Sequence, residues 1–249
     1  MGDFWAIYIL WLRDLKRYWY DKARIFASLG QPILFLFVLG TALSPNFSGP
    51  GGIKFSEFIF PGIISMTVLF TSIFSAISIV WDREFGFLKE VLVAPVSRWS
   101  IVTGKALGGS TVAVIQGAIM LTLAPLVGVR LSFPIIVQSL FVMLLIALAI
   151  TSLGIVIAAR MKEMEGFQMI VNFVIMPIFF LSGALFPLDR LPGWLTVLTR
   201  IDPMTYGVDM LRGVMININL FPQYINLFVM VIFILVMFAI SVIEFNAAD

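Results

Sequence analysis

Charged side chains along this chain fall in clusters, and long apolar stretches separate the clusters. Runs free of Asp, Glu, Lys and Arg cover residues 25–53, 58–81, 106–129, 131–159, 166–188 and 213–243, and no other such run exceeds nine residues. A helix rising about 1.5 Å per residue needs about 20 residues to cross a hydrocarbon core of about 30 Å. Six runs pass that test, whereas a membrane β-barrel would show short alternating segments. The pattern predicts an all-α integral membrane protein, six transmembrane helices in a single domain over 1–249.

Turn chemistry trims the runs. Pro45, Asn46, Ser48, Gly49, Pro50, Gly51 and Gly52 make a loop that ends the first span. The spans are then expected at about 25–43, 58–80, 106–128, 134–159, 167–186 and 222–244, with Pro134 in a first helical turn. Pro125 and Pro177 are expected to kink the third and fifth helices.

Residues 4–12 (FWAIYILWL) are apolar but too short to span, and Arg13, Asp14, Lys16 and Arg17 follow at once. Asp3 precedes the stretch and no small-x-small site follows it, which argues against a signal peptide. Trp5, Trp11, Trp19, Tyr8, Tyr18 and Tyr20 prefer the headgroup level, so residues 3–21 are expected to form an amphipathic helix in the inner interface. The alternative is a helix packed on the cytoplasmic ends of the bundle.

Two connections are too long and too apolar for plain loops. Residues 81–105 predict a short helix from about Glu84 to Val93, stopped by Pro95, then a cap at Ser97 for the next helix. Segment 82–98 has charges of both signs (Arg83, Glu84, Lys89, Glu90, Arg98) and an apolar face centred on Phe87, Leu88 and Val91. It is either a half-sunk interfacial helix or a docking element for a cytoplasmic partner. In residues 187–213, Pro192 and Pro203 each suit a helix start, with Asp202 as N-cap. Asp189, Trp194, Asp202, Pro203 and Tyr206 mark this outer segment, which is expected to dip back into the outer leaflet as two short helices.

Composition narrows the chemistry. Hydrophobic residues make up 61% and charged residues 12%, against roughly 25% charged in a soluble domain. There is no Cys and no His, so thiolate chemistry and the usual general base are excluded. A net charge of +2 does not suggest a nucleic-acid partner. Placing the N-terminus inside puts 11 of the 16 Lys and Arg on the cytoplasmic side, which predicts both termini in the cytoplasm.

Apart from Glu244, the last residue of the sixth, none of the expected spans holds a charged residue, which removes the groups an ion-coupled transporter needs. The chain also lacks a phosphate loop, since Gly104-Lys105 runs into Ala106 without the upstream glycine. Gln116, Gln138, Gln168 and Asn172 are the polar amides of the spans, with Gln116 and Asn172 as candidates for lining a path or joining helices. Gly104/Gly108, Ala113/Gly117 and Gly154/Ala158 permit close helix approach.

FIFPGII at 58–64, DREFGFLKEVLVAPVSRWSIVTGK at 82–105 and FPLDRLPGWLTVLTRIDPMTYGVDMLRG at 186–213 together resemble the permeases of type-2 ATP-binding-cassette exporters. That group includes drug-resistance, nodulation-factor, polysaccharide and lipid exporters, and the resemblance covers nearly the whole chain. It implies an interfacial N-terminal helix, a coupling helix after the second span and re-entrant outer helices. It also implies a second permease copy and two copies of a separate ATPase subunit, which carries ATP and Mg. This chain is expected to bind no cofactor or metal and to catalyse no bond chemistry. The implied function is export of a small amphiphilic or lipid-linked substrate across the cell membrane. A glycan exporter of the same group and a secondary transporter are the alternatives. A lipid-acting enzyme using Asp189, Asp202 and Asp209 is the weakest.

Overall fold

The computed structural model describes residues 2–44, 52–85, 96–161, 163–188 and 191–247, without the side chains of Arg24 and Ala247. Among them, six helices are long and apolar enough to cross a membrane. Helix α1 (Gly2–Tyr20) precedes the first span, α2 (Lys22–Leu43). The second span is α3 (Phe55–Ser75) continued by α4 (Ile77–Glu84), and the third is α5 (Arg98–Leu121). A four-residue helix α6 (Ala124–Val127) leads to the fourth span, α7 (Phe133–Arg160).

The fifth span is assembled from α8 (Met164–Ile170), a π-helical turn (Val171–Ile175) and α9 (Met176–Leu181). Helices α10 (Gly193–Ile201) and α11 (Pro203–Ile216) precede the sixth span, α12 (Gln223–Ala247).

Spans two, three and four form the centre. Their small side chains let the helices close on one another, which matters because lipid tails are as apolar as leucine and drive no helix pairing. A methyl group built on Gly117 would strike Met143 of the fourth span and Val68 of the second. Gly154 packs against Ala76 and Ile73 in the same way. Spans one, five and six line the outside of this core.

Several expected boundaries shift. The third span starts at Arg98 rather than 106 because Ser97 caps it, its hydroxyl accepting from the Ser100 amide. Lys105 therefore lies inside the helix, so the expectation of spans without ionisable groups is corrected. A charge-free run ends at the first charge, whereas a helix continues if that charge finds partners. Pro125 does not kink the third span, which ends at Leu121; the proline opens α6 instead. Pro177 opens α9 directly after the π-helical turn. With no N–H to give, it leaves the preceding turn to close by a wider bond pattern.

The N-terminal helix packs along the N-terminal half of the third span. Gly104 and Gly108 form its seat, since added methyls there would meet Leu10 and Asp14. Phe4, Trp5, Tyr8, Ile9, Trp19 and Tyr20 remain exposed on its other face.

Candidate functional site

A cavity of about 500 Å³ lies among spans one, two, three and five. Its polar lining consists of Ser28, Gln31, Thr71, Gln116, Gln168 and Asn172, and among the described residues no lining residue carries a charge. Tyr18, Phe70, Phe74 and Trp81 add ring surface. The lining is thus amphiphilic and neutral.

Local sequence explains each wall. Pro32 sits within α2, where it cannot donate to the Ser28 carbonyl one turn earlier. Gln116 is buried in the third span; its Nε2 donates to Ser28 Oγ at 2.6 Å, while Thr71 Oγ1 donates to its Oε1 at 3.2 Å. One amide thus joins spans one, two and three at the cavity floor. Asn172 and Gln168 come from the fifth span around the π-helical turn and are exposed. Both expected path residues, Gln116 and Asn172, therefore meet at one cavity: Gln116 as a helix contact that also lines it, Asn172 with its amide open. Gln138 lies elsewhere, in a cleft at the opposite end with Asn217 and Tyr224.

Beneath the cavity is a charged cluster that counting charges along the chain could not reveal. Lys105 Nζ lies 3.1 Å from Asp82 Oδ2 and 3.7 Å from Asp14 Oδ1, and it donates to Ser78 Oγ at 2.9 Å. Arg13 completes the group, 3.2 Å from Asp82. Arg17 stacks over Trp81, a cavity residue, at 4.5 Å. Asp3 accepts from the Ser97 amide and the Ser100 hydroxyl, each at 2.9 Å, and these bonds hold its carboxyl below the usual carboxylate range. Asp14, Asp82 and Lys105 look unrelated in sequence; only helix packing unites them.

Of the segment 82–98, Phe87, Leu88, Lys89, Glu90 and Val91 lie outside the described residues. Arg83 is part-buried and donates to the Met161 carbonyl at 2.8 Å, tying the second span to the end of the fourth. Glu84 is exposed, and Arg98 opens the third span. Nearby, Arg160 Nε donates to Glu244 Oε2 at 2.8 Å, closing the fourth span on the sixth.

At the opposite end, the caps appear where expected. Asp202 Oδ1 accepts from the Met204 amide at 2.9 Å, with Pro203 at the first helical position. Its other oxygen is buried without a partner. Burial pushes this carboxyl up to about 7, against the pull of the Met204 N–H. Tyr206 donates to the Arg200 carbonyl at 2.7 Å and stacks on Phe221. Trp194 is exposed, and Asp189 lies outside the described residues. Asp209 accepts from the Leu220 and Phe221 amides and from Asn226 Nδ2 at 2.7, 3.0 and 2.8 Å, fixing the turn into the sixth span. Both acids are occupied in holding helix ends.

A family model described as ABC-2 type transporter matches residues 6–216. The chain belongs to the ABC-2 type transporter family. Among relatives, a protein of Cyanophora paradoxa named as transport permease ycf38 is 30% identical over 186 residues, 73% of this chain and 64% of its own length. The chain thus spans just under two thirds of that relative. Nodulation protein J of Rhizobium leguminosarum bv. viciae is 27% identical over 88% of this chain and 85% of its own. YbhR of Escherichia coli (strain K12), named as a multidrug ABC transporter permease, is 28% identical over 65% of this chain and 44% of its own. These names agree with a permease, the membrane component of an ABC transporter.

Proposed function

We propose that the chain is the transmembrane subunit of an ATP-driven exporter. Two copies pair with two copies of a separate ATPase subunit, which supplies ATP and Mg. The substrate is small, amphiphilic and recognised without charge. The observation that carries this reading is the neutral cavity of about 500 Å³, with six amide or hydroxyl side chains among four rings. Such a lining hydrogen-bonds weakly and lets go readily. The name of a multidrug permease among the relatives fits drug-like cargo.

Both termini face the cytoplasm, the orientation favoured by the Lys and Arg excess. The aromatic face of α1 rests in the inner headgroups, and α10 and α11 re-enter the outer leaflet. The segment 82–98 is the ATPase dock, with Arg83, Glu84, Lys89, Glu90 and Arg98 around the apolar face of Phe87, Leu88 and Val91. ATP-driven closure of the ATPase pair moves the docks, and the second and third spans carry that motion to the cavity.

The test is export read as uptake of a fluorescent amphiphile into inside-out vesicles containing the protein with its co-purified ATPase. We expect export to require ATP, and Asn172→Trp to block it while ATPase binding persists. Transport that runs on a proton gradient without ATP would replace this reading with a secondary transporter. The chain has no cysteine, so a cysteine introduced at Thr196 reports topology cleanly, and labelling only from the cytoplasmic side would reverse the orientation.

A further inference from the structure

At the outer end, one buried cation is short of acceptors. Arg212 on α11 is 5% exposed and forms no ion pair with the described residues. A guanidinium has five N–H donors, and among the described residues this one makes a single hydrogen bond, from Nη2 to the Gly183 carbonyl at 2.7 Å. Gly183 holds that carbonyl in place from a φ of +72°, a conformation other residues resist. The guanidinium plane lies over the Phe58 ring at 4.1 Å, and Nε is buried without an acceptor. A buried charge is costly unless it is paired or richly hydrogen-bonded.

Arg212 borders a cavity of about 150 Å³, shared with Phe58, Leu188, Thr205, Asp209 and Asn219. One water needs roughly 10–15 Å³ of such space, so a four-oxygen group fits. Asp209 also lines it, but its oxygens already accept three hydrogen bonds from the turn into the sixth span. Its negative charge is held by those three donors and not by an ion pair with Arg212, and it weighs against a dianion. Forked N–H donors suit oxyanions with several acceptors better than a halide. Burial lowers the guanidinium to about 10, with Asp209 opposing that shift, so it stays charged at neutral pH.

We infer that this cavity binds a monoanionic phosphodiester through Arg212, pinning α11 to the ends of the second and fifth spans. The group comes either from a phospholipid headgroup or from a free phosphodiester.

The experiment uses the purified full chain in a phosphate-free detergent and follows its melting temperature and native mass. Dioleoyl-phosphatidylglycerol should raise the melting temperature above that given by dioleoylglycerol, which lacks the phosphate. Arg212→Gln should weaken this binding about tenfold or more, and Arg212→Lys less. A bulkier residue at half-exposed Leu220, Leu220→Trp, narrows the same cavity without touching the cation; it should also weaken binding if Arg212→Gln does not fold. A matching shift with soluble glycerophosphocholine identifies a free phosphodiester as sufficient, and a shift with the lipid alone identifies the headgroup. Equal shifts with the two lipids, or binding unchanged in Arg212→Gln and Leu220→Trp, would overturn the assignment.

Discussion

In the second span 78% of the most apolar window is buried within the chain itself, whereas in the sixth the figure is 17%, although the sixth is the more apolar. The third and fourth spans resemble the second, at 67% and 61%, and the first and fifth, both at 22%, resemble the sixth. The central helices are those with small and hydroxyl residues, including Ser65, Thr67, Ser72, Ser110, Thr151 and Ser152, all buried. The perimeter helices present Phe, Leu, Ile and Val outward, as at Phe37, Phe173, Phe228 and Leu235. Mean hydropathy therefore does not separate the two groups: the fourth span, as apolar as the sixth, is central, and the first, less apolar than either, is peripheral. Close backbone approach and hydrogen bonding decide which helices are central.

The largest test of this division attacks the charge cluster of the centre. Replacing Lys105 by Met leaves Asp14 and Asp82 only the part-exposed Arg13 as a shared cation, and losing a buried charge partner typically costs up to about 3–5 kcal/mol. We expect α1 to detach from the third span, seen as faster hydrogen exchange across residues 2–20. Unchanged protection there would show that Gly104 and Gly108 packing alone holds α1.

A smaller effect is expected from a single methyl in the core. Gly62→Ala in the second span drives the new group into the backbone of Ala184, which cannot rotate away. Overpacking of this kind costs about 1–3 kcal/mol. The matched control is Gly30→Ala in the first span, where nothing lies within 4 Å of the new methyl. There the helix gains about 0.5–1 kcal/mol from lost chain freedom. Opposite shifts in melting temperature would sharpen the contrast between centre and perimeter, and shifts of one sign would break it.

Asp202 probes the helices between the fifth and sixth spans. Asp202→Ala removes a cap worth about 1 kcal/mol. Burial pushes the wild-type carboxyl up to about 7 in the fold from about 3.8 in the unfolded chain, so the folded state holds the proton more tightly. Its contribution is therefore fully present below about 4 and is lost as the pH rises toward 7. Asp202→Asn keeps a capping oxygen and should flatten that part of the melting-temperature profile between pH 4 and 7. A wild-type profile already flat in this window would show Asp202 to be ionised throughout.

The smallest effect belongs to Arg160 and Glu244, which close the fourth span on the sixth at the water boundary. With the arginine side chain 70% exposed, Arg160→Gln should cost under about 1 kcal/mol and lose even that in high salt.

The sequence alone determined the number and order of the six membrane-long helices, because about 20 uncharged residues in a row have no other economical home. It also located the caps at Ser97 and Asp202, since capping is a local contest between one side chain and the next turn's amides. It marked Gln116 and Asn172, as polar amides in apolar helices are conspicuous. Tertiary structure alone decided that these two share a cavity, with one holding three helices together and the other open. It also placed Lys105 inside the third span, because an ionisable residue is admitted there only when Asp14 and Asp82 arrive from two other helices. The same holds for Arg212: its charge is plain in the sequence, but its shortage of acceptors follows from which backbone carbonyls and rings the packed helices bring around it.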